Sequence, residues 1–169
     1  MSPRAMPAQK PGKSEQAVQT PPEFLAAVAR RFGPIRWDLA ANASNHVAPG
    51  WYGPGSPDGE DALAQDWSKR GGVLFLNPEF GNIPPFAKLA AEFGPRGART
   101  KMLVPAAVST EWWVKFVHQR ALVLFLRPRI KFVGHDAGFP KDLALCAYGP
   151  WVAPGYSTWR WDADEVAAP

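Results

Sequence analysis

The sequence predicts an α/β domain with a mostly parallel central sheet, helices on both faces and an antiparallel strand pair at its C-terminal end. Three observations lead there. Val73-Leu74-Phe75-Leu76, the core of Thr100 to Pro105, and Ala121 to Leu126 are short apolar runs with no polar face to show to water, as in strands covered on both sides. Stretches of helical spacing separate these runs, and strand-helix-strand alternation gives parallel strands with helices on either face. Near the end, Lys131-Phe132-Val133 begins a hairpin that returns through Asp142 to Tyr148, DLALCAY.

The bulk properties fit one such domain. At 169 residues the chain buries a substantial core but has no room for a separate large specificity domain. Apolar residues at 46% and charged residues at 20% are globular values, whereas 19 Pro and 15 Gly call for many turns and some unstructured chain. A formal charge of +4 suits a polyanionic partner without requiring one. The single cysteine, Cys146, excludes an internal disulfide and a cysteine-based zinc site, and the three His show no metal-ligand spacing. No apolar run approaches the roughly 18 residues of a membrane span, and the first residues lack a signal-peptide apolar region. A cytoplasmic protein is the expectation.

In chain order, residues 1–19 hold Arg4, Lys10 and Lys13 among Pro, Gln and Ala, and are expected to form a mobile basic arm. Thr20-Pro21-Pro22-Glu23 reads as a capping box with Pro at the first helical position. The helix continues with Phe24, Leu25, Val28 and Phe32 on one face, basic Arg30 and Arg31 in the last turn, and Gly33 as the stop. Ile35 to Asn42 is a short strand whose end carries Asp38 and then small residues, which let a ligand approach the backbone. Asp38 reads equally as a ligand acceptor and as a loop or cap carboxylate.

His46 to Glu60 is a Pro- and Gly-rich loop anchored by Trp51 and Tyr52, and Asp61 to Trp67 forms a helical turn or two. After the strand at 73–76, Pro84-Pro85 opens a helix over Phe86 to Phe93. A buried strand at 100–105 precedes a helix opened by Ser109-Thr110 that runs to about His118, and the strand at 121–126 follows. Residues 20–150 thus make the domain. Residues 151–169 form an aromatic-rich tail whose Trp151, Tyr156, Trp159 and Trp161 either stack on bases or pack over a groove.

The stretch with the most chemistry is Gly71 to Phe80, GGVLFLNPEF. In an open α/β sheet the carboxyl ends of the strands form the ligand crevice, which is where Asn77-Pro78-Glu79-Phe80 falls. A Pro-containing turn with Asn as its first residue would give the same four letters.

Taken together, TPPEFL (20 to 25), FG (32 to 33), WDLAAN (37 to 42), DALAQDW (61 to 67), LFLNPEF (74 to 80), MLVPA (102 to 106), EWW (111 to 113) and RPRIKF (127 to 132) resemble, in order and spacing, the small phage-type DNA N6-adenine methyltransferases, the Dam-like family. The likeness covers about residues 20 to 148. It implies a Rossmann-like class I methyltransferase fold that binds S-adenosylmethionine and methylates the N6 amine of adenine in double-stranded DNA, a modification activity of phage or prophage in a bacterial cytoplasm.

By that resemblance the catalytic residues are Asn77, Pro78, Glu79 and Phe80. The adenine amino nitrogen is a poor nucleophile because its lone pair is delocalised into the ring. Two acceptors, the Asn77 side-chain oxygen and the Pro78 carbonyl, bind its two hydrogens and pull it toward tetrahedral geometry. Phe80 offers a face to a base flipped out of the duplex. Thr20, Pro21, Asp38, Ala40, Ala41, Asn42 and Asp61 fall at the family's cofactor-binding positions, and Arg129 and Lys131 at its basic DNA-side segment. No metal is implied, since a sulfonium needs no Lewis acid.

The sequence departs from the family at Glu79, where a second Pro is usual, and at Pro128, where Gly is usual. Glu79 restores a backbone N–H and adds a carboxylate, either hindering DNA approach or serving as an extra acceptor or proton relay. Two alternatives to the leading function are a same-fold methyltransferase acting on RNA or a protein amide, and a non-catalytic DNA-binding protein on a degenerate fold.

Overall fold

The computed structural model describes residues 19–163, so all but the last residue of the basic arm expected at 1–19, and the end of the tail, lie outside it. Its centre is a seven-stranded sheet made of β1 (Ile35–Asp38), β2 (Gly50–Trp51), β3 (Val73–Leu76), β4 (Arg99–Pro105), β5 (Leu122–Arg127), β6 (Leu143–Ala147) and β7 (Gly155–Arg160), in the order β2-β1-β3-β4-β6-β5-β7. Every neighbouring pair is parallel except the two that involve β6, which runs antiparallel to both β4 and β5. The mixed α/β architecture and mostly parallel sheet are those expected. No helix among the described residues is long and apolar enough to cross a membrane.

Two apolar layers sandwich the sheet. Alternation along a strand sends successive side chains to opposite faces. Phe75, Leu103, Leu124 and Leu145 therefore meet Phe24, Ala27 and Val28 of α1 (Pro22–Phe32) on one side. On the other, Leu74, Leu76, Met102, Val104, Val123 and Cys146 meet Ile83, Ala87, Ala90 and Phe93 of α2 (Ile83–Phe93) and Trp113 of α3 (Glu111–Phe116). The unbroken VLFL run of β3 is buried throughout, as a central strand covered on both sides must be. Thr110 caps α3 by accepting from the Trp113 N–H, and Gly33 ends α1 at φ 105°.

The structure departs from the sequence expectation in several places. Thr20 makes no capping box: the N-cap of α1 is Pro21, whose ring has no acceptor to give, and the Thr20 hydroxyl accepts from Asn77 instead. Lys131-Phe132-Val133 is not a strand; Phe132 is buried as a loop anchor, and β6 itself turns back against β5. The helical turn or two expected from Asp61 onward is present as two 3-10 turns, Ala62–Ala64 and Trp67–Lys69, each started by an Asp side chain accepting a backbone N–H. The aromatic stretch expected as a tail supplies β7, a sheet strand whose Trp159 is buried against Phe24 and Phe32 of α1. These rings pack rather than stand ready for bases, although Trp151 is exposed.

Candidate active site

The strand order reverses beside one edge of the sheet. From β1 the chain steps outward to β2, then returns past β1 to β3 and β4, so the order reverses between β1 and β3. Such a switch point opens a crevice beyond the carboxyl ends of the two strands. Asp38 is the last residue of β1, and Asn77 follows the last residue of β3. The two strands are hydrogen-bonded neighbours with Asp38 opposite Phe75. The two polar residues singled out from the sequence thus stand at the carboxyl ends of two neighbouring strands, on either side of the switch point.

Asp38 is buried and organises the loop after β1. Its two carboxylate oxygens accept from the backbone N–H groups of Ala40 at 3.2 Å and Val47 at 3.1 Å. Burial raises its pKa above the ordinary carboxylate value, while those two N–H groups and the nearby His46 pull it down. The loop then doubles back: Leu39 N–H donates to Phe75 O, Ala41 N–H to Tyr52 O and Tyr52 N–H to Asp38 O. The anchoring expected of Trp51 and Tyr52 is seen, since Trp51 stacks on His46 and Tyr52 packs on Trp37.

Gly53 closes this wall at φ 148°, and a Cβ there would lie 1.7 Å from the Ala41 carbonyl oxygen. Gly53→Ala is expected to destabilise the protein by more than the roughly 1–3 kcal/mol of backbone strain alone, because the Ala41 oxygen is backbone and cannot swing aside. A lower urea midpoint with an unchanged slope would show it.

The tetrad lies across from this wall. Asn77 is half-buried, and its amide nitrogen donates to Thr20 Oγ1 at 3.1 Å, which joins the segment before α1 to the end of β3. Pro78 is buried and Glu79 exposed. Asn82 N–H donates to Glu79 O at 2.8 Å, turning the chain directly into α2. Phe80 is half-buried and meets Phe139 edge to face at 5.4 Å, and Phe139 in turn meets Phe132. Both belong to the 128–142 loop between β5 and β6, which reaches the same carboxyl edge. Its Val133 N–H donates to Gln19 O, so the loop also braces the segment that carries Thr20.

The remaining predicted residues are used more locally. Asn42 Oδ1 accepts from the Ser44 N–H and hydroxyl. Asp61 is exposed and accepts from the Leu63 N–H at 2.9 Å. Arg129 ties its own loop together, donating to Pro140 O at 2.8 Å and pairing with Asp142 at 3.3 Å, while Lys131 is exposed beside it. Pro21 is buried next to Thr20. A cleft of about 740 Å³ lined by Phe32, Arg99, Lys101 and Trp151 lies at the opposite, amino end of β4, away from the tetrad.

Sequence reasoning missed Phe139 and Gly53. The Gly-Pro-Gly run at 53–55 signals a special backbone there. Phe139 carries no local signal, because its partner Phe80 is distant in the chain.

Comparison with known proteins bears on this geometry. The family model described as DNA N-6-adenine-methyltransferase (Dam) matches residues 8–145. A DNA N-6-adenine-methyltransferase of Escherichia phage T1 is 29% identical over 107 residues, which are 63% of this chain and 43% of that relative. The matched region thus spans less than half the relative's length. No solved structure matches.

Proposed function

We propose, from the premise that this chain belongs to the DNA N-6-adenine-methyltransferase (Dam) family, that it transfers the methyl group of S-adenosylmethionine to the N6 amine of adenine in double-stranded DNA. The observation that carries the reading is the Asn77 amide, held by Thr20 at the end of β3 and across the switch-point crevice from the buried carboxylate of Asp38. The sheet order supports a Rossmann-like methyltransferase fold.

The residues of the crevice fit the cofactor. S-adenosylmethionine carries a cationic amino-acid end and hydroxyl and amine donors, and Asp38 offers a buried carboxylate with Ala40 and Ala41 beside it, which leave the backbone open to close approach. Thr20 and Pro21 border the amino-acid end in this reading, Asn42 completes the wall, and the exposed Asp61 contributes an acceptor. When bound, the cofactor supplies an activated methyl group. The protein's part is to prepare the amine. With its nitrogen committed to Thr20, Asn77 presents its oxygen, and this oxygen and the Pro78 carbonyl take the two amino hydrogens and bend the nitrogen toward the tetrahedral geometry it needs.

Phe80, braced at its edge by Phe139, supports the flipped base. Glu79 faces solvent beside these acceptors and suits a proton relay once the amine has reacted. Arg129 and Lys131 lie on the loop at the same edge, and in this reading they contact phosphates.

The test is transfer of tritiated methyl from S-adenosylmethionine to unmodified duplex DNA, followed by digestion to nucleosides. Label in N6-methyladenine is the expected result. Absence of label from a protein that binds the cofactor would move the reading to another amine, and absence of both label and cofactor binding would leave a binding-only protein.

A further inference from the structure

We propose that the cleft at the amino end of β4 is a second binding site, for a small anion with a flat apolar body: Lys101 and Arg99 take the charge, while Phe32 and Trp151 flank the body. This site is separate from the crevice of the proposed reaction. Arg99 stands opposite Val73, the first residue of β3, whereas the tetrad follows the last, Leu76.

The cleft is built across three strands. Lys101 of β4 and Leu122 of β5 both lie opposite Ala147 of β6, so the three side chains share one face of the sheet. Phe32, at the end of α1, and the segment 149–153 complete a lining around about 740 Å³, the size of a small-molecule site.

The pointer to a ligand is a cation in an apolar setting. Lys101 is 3% exposed, and among the described residues its ammonium meets only the Tyr148 carbonyl, at a long 3.4 Å, and the Phe32 ring. An ammonium has three donors, so most of its bonding capacity is left over. No carboxylate among the described residues pairs with it, and the charge that acts on it, Arg99, has the same sign. Arg99 gives one N–H to the Phe32 carbonyl at 2.8 Å and is otherwise exposed. A buried, unpaired charge is costly, and an anion entering the cleft supplies the missing counter-charge. The lining holds no acidic side chain to repel it.

The rest of the lining describes the ligand's body. Leu122, Ala147 and Phe32 are apolar, and Trp151 is 94% exposed although it lines the same cleft. It sits in a turn closed by the Val152 N–H on the Gly149 carbonyl, which holds the indole at the rim. An exposed indole beside two cations suits a flat ring that carries a negative charge. A DNA phosphate is borne on a wide rod and is kept from so deeply set an ammonium, whereas a small anion can enter.

The probe is anilinonaphthalene sulfonate, with phenylnaphthylamine as the same ring system without the charge. Fluorescence titration of the full chain is expected to show saturable binding that prefers the sulfonate by roughly tenfold or more. In Lys101→Met, which keeps the side-chain length, the sulfonate should weaken by roughly tenfold to a hundredfold while the neutral probe binds as before, so the preference disappears. The neutral probe thus also reports that the variant is folded. Trp151→Ala, at the exposed rim, should weaken both probes by roughly threefold to tenfold. No saturable sulfonate binding, equal affinity for the two probes, an undiminished preference in Lys101→Met, or unchanged binding in Trp151→Ala would each overturn the proposal. Displacement of the Lys101-dependent fraction by a short duplex would overturn it too, and would make the cleft part of a DNA surface.

Discussion

Asn77→Ala is expected to lower the methyl-transfer rate by about 10²–10³-fold, the loss typical when one preorganised polar group aimed at the reacting centre is removed. The effect should fall on the rate of a single turnover, with little change in the affinity for cofactor or DNA. The reason is geometric. In the proposed reaction Asn77 supplies one of two acceptors at the amine, and the Pro78 carbonyl is part of the backbone and survives the substitution. Ground-state binding draws on the crevice wall, Phe80 and the basic loop, whereas the amide acts as the nitrogen leaves its planar state. Rapid-quench measurement of labelled N6-methyladenine in one turnover, beside equilibrium binding of cofactor and duplex, separates the two. Retention of the wild-type rate would remove Asn77 from the chemistry. The change also leaves the buried Thr20 hydroxyl without its partner, so stability should drop by about 1 kcal/mol.

The second large effect concerns stability and lies at the other end of the sheet. Lys101 on β4 is 3% exposed, yet among the described residues its ammonium has only the Tyr148 carbonyl at 3.4 Å and the face of Phe32 at 5.0 Å as partners. Burial, with Arg99 close by, lowers its pKa to about 8 from 10.5. Between these values the unfolded chain binds the proton more tightly than the folded protein does. Lys101 should therefore contribute stability that grows as pH goes from about 8 to 10.5 and no slope below that window, while burial of Cys146 and Tyr148, which raises both their pKa values, opposes it toward the upper end.

Lys101→Met keeps the length of the side chain and removes the buried charge. It is expected to stabilise the protein at pH 7 by about 2–3 kcal/mol, the lowered pKa expressed as free energy less the lost ring contact. The advantage should fade toward pH 10.5. Urea midpoints of both proteins at pH 7 and pH 10 test this, and equal stability at both would show that the charge costs nothing where it is.

How much of this was legible beforehand depended on how locally each signal is encoded. The VLFL, MLV and LALCA strands declared themselves because a doubly covered strand has no polar face. α1 did so through its spacing and its Gly33 stop. Asp38 and Asn77 could be singled out because each stands where a strand ends, the edge at which a parallel sheet tends to place its ligands.

Other features depend on partners far along the chain. Thr20 looked like a cap because its immediate neighbours favour one, but its hydroxyl answers to Asn77. β2 is only Gly50 and Trp51, too short for any periodicity to register. In β7 a single residue, Trp159, is buried in an otherwise exposed or half-buried strand, so its aromatics read as a tail. Phe132 has the apolar character of a strand residue, but it serves to pin a loop. Arg129 reads as a free basic contact, yet its guanidinium is held by Pro140 and Asp142.

The place of β6 has a consequence for how the protein is made. β6 lies between β4 and β5, both of which leave the ribosome before it, so a nascent chain that has reached the end of β5 holds two strands whose shared neighbour does not yet exist. The two parts of the sheet are joined only when Leu143 to Ala147 emerges and forms both antiparallel pairings at once. Soon afterwards Trp159 arrives to cover Phe24, near the start of the chain. Assembly therefore runs late in synthesis, and the crevice beside Asn77, built almost wholly from the first half of the sequence, waits for the last strands to be secured.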